Sequence, residues 1–233
     1  VKLLYGSEFA SIVAADSLYN AYTLEIFKDA HLDSAGLNPI VFQKAITGFY
    51  NLQSSGLSSN TNILTVIDFD KGSCTKRLFL IDIVQRKLLL NTWVAHGKNS
   101  GDNKPDHFSN VVNSNESSIG FYLTGEAYFG KNGRSMRLDG VDDGFNDNAR
   151  SRNIVLHGAD YVSQDCIDGL GRLGRSFGCP AVARDLSDNI IDATLNRSVM
   201  FINHSQDDYY SQYLDIKTAA LFAQQRPSFL ANI

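Results

Sequence analysis

Cys74, Cys166 and Cys179 are the only cysteines in 233 residues. That is too few for a disulfide framework, and without a C-x-x-C pair nothing suggests a zinc site. The odd count allows a Cys74–Cys166 bridge with Cys179 free; three reduced thiols are the equal alternative. Apolar runs stop at five or six residues, so no transmembrane helix is expected. No signal peptide is visible, and the first residue is Val rather than Met, which leaves room for a removed export signal. Charge of one sign is lacking too. The 21 Lys and Arg against 25 Asp and Glu give a net charge of −4, with the basic residues scattered. A nucleic acid needs a concentrated basic face, so none is expected as partner. No two histidines share a helix at ligand spacing and there is no H-E-x-x-H, so neither metal nor cofactor is expected.

What is present is the composition of a globular chain, 43% hydrophobic and 11% aromatic, long enough for one domain or one domain with a helical extension. Residues 8–30 carry apolar side chains at helical spacing. Asn38-Pro39 then predicts a helix start, with Asn as cap and Pro in the first turn. Phe42, Ala45, Ile46, Phe49 and Leu52 follow along one apolar face. After the loop 54–62 the texture turns to β. Strands are expected over 63–69, 77–85, 87–95, 120–129, 153–158 and 198–203, with a hairpin turn at Gln85-Arg86-Lys87. A short helix is expected over 185–196, capped by Asp185 or Ser187. The boundaries that follow are a helical extension at 1–61, a mainly β catalytic domain at 62–205, and a tail at 206–233 packed on it.

Two chemistries compete for "DGLGRLGRSFGCP", residues 168–180. Gly169, Gly171 and Gly174 spell G-x-G-x-x-G, but that fingerprint needs a hydrophobic strand before it and a helix after it. "YVSQDCID" is too polar for such a strand, and Gly178 and Pro180 bar the helix. A glycine-rich loop that brings backbone close to a site is the better reading. Cys179, between Gly178 and Pro180, is then the candidate nucleophile. A thiol needs a base, and His157 ends an apolar strand with Gly158 beside it. Backbone N–H groups of Gly178 and Cys179 are candidate oxyanion donors.

"VLHGADYV" (155–162) followed by "GRSFGCPAV" (174–182) resembles the L,D-transpeptidase catalytic domain (YkuD-like) family, in its murein branch with an Arg-Ser-x-Gly-Cys-Pro motif. "RLFLIDI", "TWVAHGKNSG", 117–140 and "GLNPIVFQKAITGFYNL" resemble its other segments, so the likeness covers roughly 36–205. The resemblance implies an α+β, mainly β fold: a sandwich- or barrel-like domain preceded by helices. It implies Cys179 as nucleophile and His157 as base, with Tyr122, Gly158, Arg175, Ser176 and Phe177 around the substrate. Phe177 stands where the wider family has a second histidine. Ala181 stands where that family often has an arginine, a cation that Arg175 would replace.

The activity implied is cysteine acyl transfer on peptidoglycan stem peptides, with loss of terminal D-Ala and formation of a 3→3 cross-link. If water accepts the acyl group, the enzyme is an L,D-carboxypeptidase; a cell-wall-binding module without turnover is the other reading. Acylation by carbapenems is an implied property. The site of action implied is periplasmic or exported, or cytoplasmic for a recycling carboxypeptidase. Outside the motif, His96 is expected at the surface or in a hydrogen bond, His31 and His107 in solvent, and His204 in a structural place. Arg172, Arg175 and Arg184 are candidates for the substrate carboxylate. Residues 139–150 read as an acidic turn, and the segment from His157 to Cys179 as a lid.

Overall fold

The computed structural model describes residues 17–205, 208–226 and 229; the predicted helical residues 8–16 and parts of the tail lie outside these. Helix α1 covers 17–29 and α2 Pro39–Ser54. As expected, the Asn38 side chain accepts the Ile40 N–H at 2.8 Å and Pro39 opens α2. The strands are β1 (Ile63–Asp68), β2 (Leu78–Asp82), β3 (Lys87–Thr92), β4 (Gly120–Gly130), β5 (Gly133–Gly140), β6 (Val155–Ala159), β7 (Ala181–Ala183) and β8 (Val199–Asn203). Between them lie α3 (Gln164–Leu170) and α4 (Arg184–Thr194), and α5 (Ile216–Gln224) follows. The fold is α+β with strands predominating.

The strands form one sheet in the order β3-β2-β1-β8-β4-β5-β6-β7. The chain leaving β3 at one edge reaches the other edge, where Ala95 bridges Ala181. The sheet thus curls almost into a barrel. Strands in its middle are buried on both faces because alternate residues serve two cores. Leu64, Val66, Phe121, Leu123, Val199 and Phe201 pack under α1, α2 and α5. Tyr122, Met200 and Ile202 point the other way, joining Met136, Leu138, Leu156 and α4 residues Ile190 and Ile191.

Four of these helices and strands were not read from the sequence, among them α5 in the expected tail. β5 ("GRSMRLDG") buries only Ser135, Met136 and Leu138, α3 buries no residue, and β7 has three residues; each is too short or too polar to carry a period. The cap of α4 is a correction. Ala183 occupies the N-cap without a side-chain bond, Asp185 lies in the first turn, and Ser187 Oγ donates inside the helix to Arg184 O. A Cys74–Cys166 bridge is not formed: all three thiols are free, and Cys74 Sγ donates to Gly171 O at 3.1 Å.

Candidate active site

His157 is the third residue of β6, held between Ser135 of β5 and Ala181 of β7. Because β7 runs parallel, Cys179, two residues before Ala181, stands level with Val155, two residues before His157. In keeping with that register, the Val155 N–H donates to Cys179 Sγ at 3.4 Å. Strands about 4.8 Å apart with about 3.3 Å rise per residue put the two Cα atoms about 8 Å apart, and the Cys179 thiol donates to Asn153 O at 3.7 Å. Both side chains line one cavity of about 450 Å³.

The loop carrying the sulfur is fixed by its own sequence. Gly178 has φ +116°, and a Cβ there would lie 2.6 Å from Glu116 O, so no other residue fits. Ser176 Oγ donates to Cys179 O at 2.6 Å and accepts the Gly178 N–H at 3.1 Å, closing a turn around the motif. Ser176 N–H donates to His96 O at 2.9 Å, and Lys98 N–H to Ser176 O at 2.8 Å. Beneath this seam His96 is fully buried. Its Nδ1 lies 2.8 Å from Arg77 Nη2. A guanidinium only donates, so Nδ1 accepts and the proton sits on Nε2. Burial, with the Arg77 charge beside it, lowers the His96 pKa to about 4; it is a neutral support for the loop.

His157 has the opposite tautomer. Its Nδ1 lies 3.0 Å from Gly158 O, a pure acceptor, so that partner assigns the proton to Nδ1 and leaves the Nε2 lone pair free. Burial holds its pKa below the usual histidine value, and the Arg184 and Lys131 charges act the same way. Burial pushes the Cys179 thiol up, partly countered by the Val155 N–H and by Arg152 and Lys131. At neutral pH the pair is therefore a thiol beside a neutral imidazole, the protonation state of general-base activation.

Of the remaining predicted residues, Gly158, Arg175, Ser176 and Phe177 line the cavity. Phe177 is 66% exposed, and Lys98 Nζ lies 4.4 Å from its ring centre. Two assignments are corrected. Tyr122 is fully buried on the inner face of β4, with its hydroxyl 2.6 Å from Ser118 Oγ, and lines no part of the cavity. The Gly178 N–H is taken by Ser176 Oγ, so of the two predicted oxyanion donors only the Cys179 N–H has no acceptor among the described residues.

Arg175 is not a free cation either: its Nη1 donates to Gly101 O at 2.8 Å. Arg172 is paired with Asp102, and Arg184 with Asp160. The predicted lid is tied down. Leu173 is buried with its N–H on Ser73 Oγ, and the Gly174 N–H donates to Tyr161 O. Only the ends of this segment, at His157 to Tyr161 and from Arg175 onward, line the cavity. His31 and His107 are exposed, and His204 lies 3.8 Å from Asp70.

Sequence reasoning missed two contributors. Arg152 reaches the cavity and donates to Ser118 Oγ, Ser114 Oγ and Glu116 O, binding the 109–118 loop against the cysteine loop. The tip of the β4–β5 hairpin supplies Tyr128, Lys131 and Asn132. Neither has a local signal, since both arrive from elements distant in the chain. Among the described residues no group of three or more His, Cys, Asp or Glu is placed to hold a metal ion, and no helix is long and apolar enough to cross a membrane.

The family model of the L,D-transpeptidase catalytic domain matches residues 33–203. No curated protein matches the chain. Similar solved structures include an L,D-transpeptidase from Mycobacterium smegmatis (12% identity, TM-score 0.39, covering 61% of this chain and 59% of that one). Another is the helical cell shape determining protein Pgp2 from Campylobacter jejuni (12%, TM-score 0.43, 76% and 63%). A third is the L,D-transpeptidase LdtMt1 in complex with imipenem (11%, TM-score 0.38, 61% and 59%). The chain spans less than two thirds of the length of each. The match over residues 33–203, with His157 and Cys179 inside it, places this chain in the L,D-transpeptidase catalytic domain family.

Proposed function

We propose that the chain is a peptidoglycan L,D-transpeptidase working through Cys179 and His157. The observation that carries this reading is the shared cavity lined by both His157 and Cys179, with His157 Nδ1 engaged by Gly158 O and Nε2 left as the basic nitrogen. His157 Nε2 takes the thiol proton as sulfur attacks the carbonyl that joins the stem's third residue to its terminal D-Ala. The Cys179 N–H stabilises the oxyanion. The C–N bond breaks, His157 returns the proton to the departing D-Ala amine, and a thioester remains. An acceptor amine attacks it, losing its proton to His157, which reprotonates the released thiolate. The product is a 3→3 cross-link.

The chemistry is the same up to the thioester if water is the acceptor, in which case the product is a tripeptide stem. Peptidoglycan as substrate sets the site of action outside the cytoplasmic membrane. Incubation with tetrapeptide muropeptides, read by mass spectrometry, should give D-Ala release and a dimer when an acceptor stem is present. Cys179→Ala should lose at least about 10³-fold in rate, the scale of removing a covalent nucleophile. Retained release by that variant rejects the assignment. A carbapenem should add covalently at Cys179, and an inert sulfur would favour a binding role without turnover.

A further inference from the structure

Four cations line the cavity: Lys131, Arg152, Arg175 and Arg184. Three are engaged. Arg184 holds the Asp160 carboxylate through Nε and Nη2. Arg175 donates to Gly101 O, and Arg152 to the 109–118 loop. Lys131 alone of the four has no hydrogen-bond or ion-pair partner among the described residues.

The turn that carries it is nonetheless tied down. Residues 131–132 form the two-residue turn between β4 and β5, where Gly130 pairs with Gly133. Arg184 Nη1 donates to Asn132 O at 3.3 Å while its other nitrogens hold Asp160. Thus the hairpin tip is fastened to the end of β6, which carries His157, and to the start of α4. The Lys131 charge acts on both Cys179 and His157. An ammonium on a flexible stem at the rim of such a cavity is a point-charge receptor for an anion.

Building on the acyl-transfer reading, we propose that Lys131 is a specificity-determining residue that binds a carboxylate of the incoming stem peptide. Two sources carry that chemistry: the terminal D-alanine, and the side chain of a diaminopimelate at the third position. The three arginines expected from the sequence to do this are held by protein oxygens; the lysine is not.

The test is binding, made on the Cys179→Ala protein so that no turnover intervenes. Calorimetric titration with a synthetic tetrapeptide stem gives the parent Kd. Adding Lys131→Ala should raise Kd about tenfold, whereas Lys131→Arg should stay within about threefold, the behaviour of a charge contact. Because the turn is exposed, the thermal midpoint of both variants should match the parent. Repetition with the terminal carboxylate amidated, and with lysine in place of diaminopimelate, identifies the source: the Lys131→Ala effect disappears on the stem that lacks it. An unchanged Kd in Lys131→Ala, an effect undiminished on both altered stems, or a parent that binds no stem overturns the assignment. Lys131-dependent binding together with no D-Ala release by the unmodified protein would reject the acyl-transfer reading and leave Lys131 standing.

Discussion

At the scale of the residue, two neighbouring environments give two histidines different work. His96 faces a donor, so it must accept on Nδ1 and is sealed under Arg77. His157 faces a carbonyl, so it must donate from Nδ1 and offers Nε2 to the cavity. Since burial holds His157 below the usual value and the Cys179 thiol above it, sulfur and imidazole do not rest as an ion pair. The sign for a base with a lowered pKa is that its active, neutral form already predominates at the ordinary histidine value and is lost on further acidification. Accordingly kcat/KM should be level from about pH 7.5 to 8, and its acid limb should have its midpoint below the ordinary histidine value. Iodoacetamide modification of the Cys179 peptide, followed by mass spectrometry, should climb about tenfold per pH unit over the same range, as the thiolate fraction does. A flat alkylation profile would mean a resting thiolate and remove the general-base step.

At the scale of the element, the cysteine turn is the part most sensitive to change. Gly178 is at once in a positive-φ conformation and packed so closely that an added Cβ would lie 2.6 Å from Glu116 O. Gly178→Ala must therefore move either the 109–118 loop or the turn. The strain is about 1–3 kcal/mol, and because it falls beside the sulfur, activity should drop by about 10²-fold while the denaturation midpoint falls modestly. D-Ala release and urea unfolding on one preparation check this. An active variant would show that the turn relaxes without moving Cys179. The hairpin tip follows the same logic from the other side of the cavity: β5 is weakly apolar, and its register is set by pairing with β4 and β6 rather than by its own pattern.

At the scale of the whole molecule, the helices before the sheet belong to its core. The boundary expected at residue 62 runs through a continuous cluster that joins Phe42, Phe49 and Leu52 to Leu64, Phe121 and Phe201, and the family match begins at residue 33. Gly48 marks a tight approach of α2 to the sheet: a Cβ there would lie 2.1 Å from the Phe121 ring, which stacks on Phe201 at 4.4 Å. Overpacking costs about 1–3 kcal/mol, and the gain of about 1 kcal/mol from alanine in a helix offsets only part. Gly48→Ala should therefore lower the urea midpoint while leaving stem binding by the folded protein unchanged. A raised midpoint would mean that α2 can shift from the sheet freely.

What the sequence by itself determined was whatever a local pattern can encode. Asn38-Pro39 started α2, apolar runs marked the strands at 63–69 and 120–129, and the Gly-Cys-Pro turn with a histidine at a strand end marked the pair that we propose reacts. Only the tertiary structure decided the rest, because it depends on which face a side chain takes and which distant chain meets it. Tyr122 differs from Phe121 by one step along β4, and that step turned it into the inner core. Arg175 and Lys131 carry the same charge, but Gly101 O, reached across 74 residues, engages one together with Lys98 O and Asp102, while the other has no such partner among the described residues.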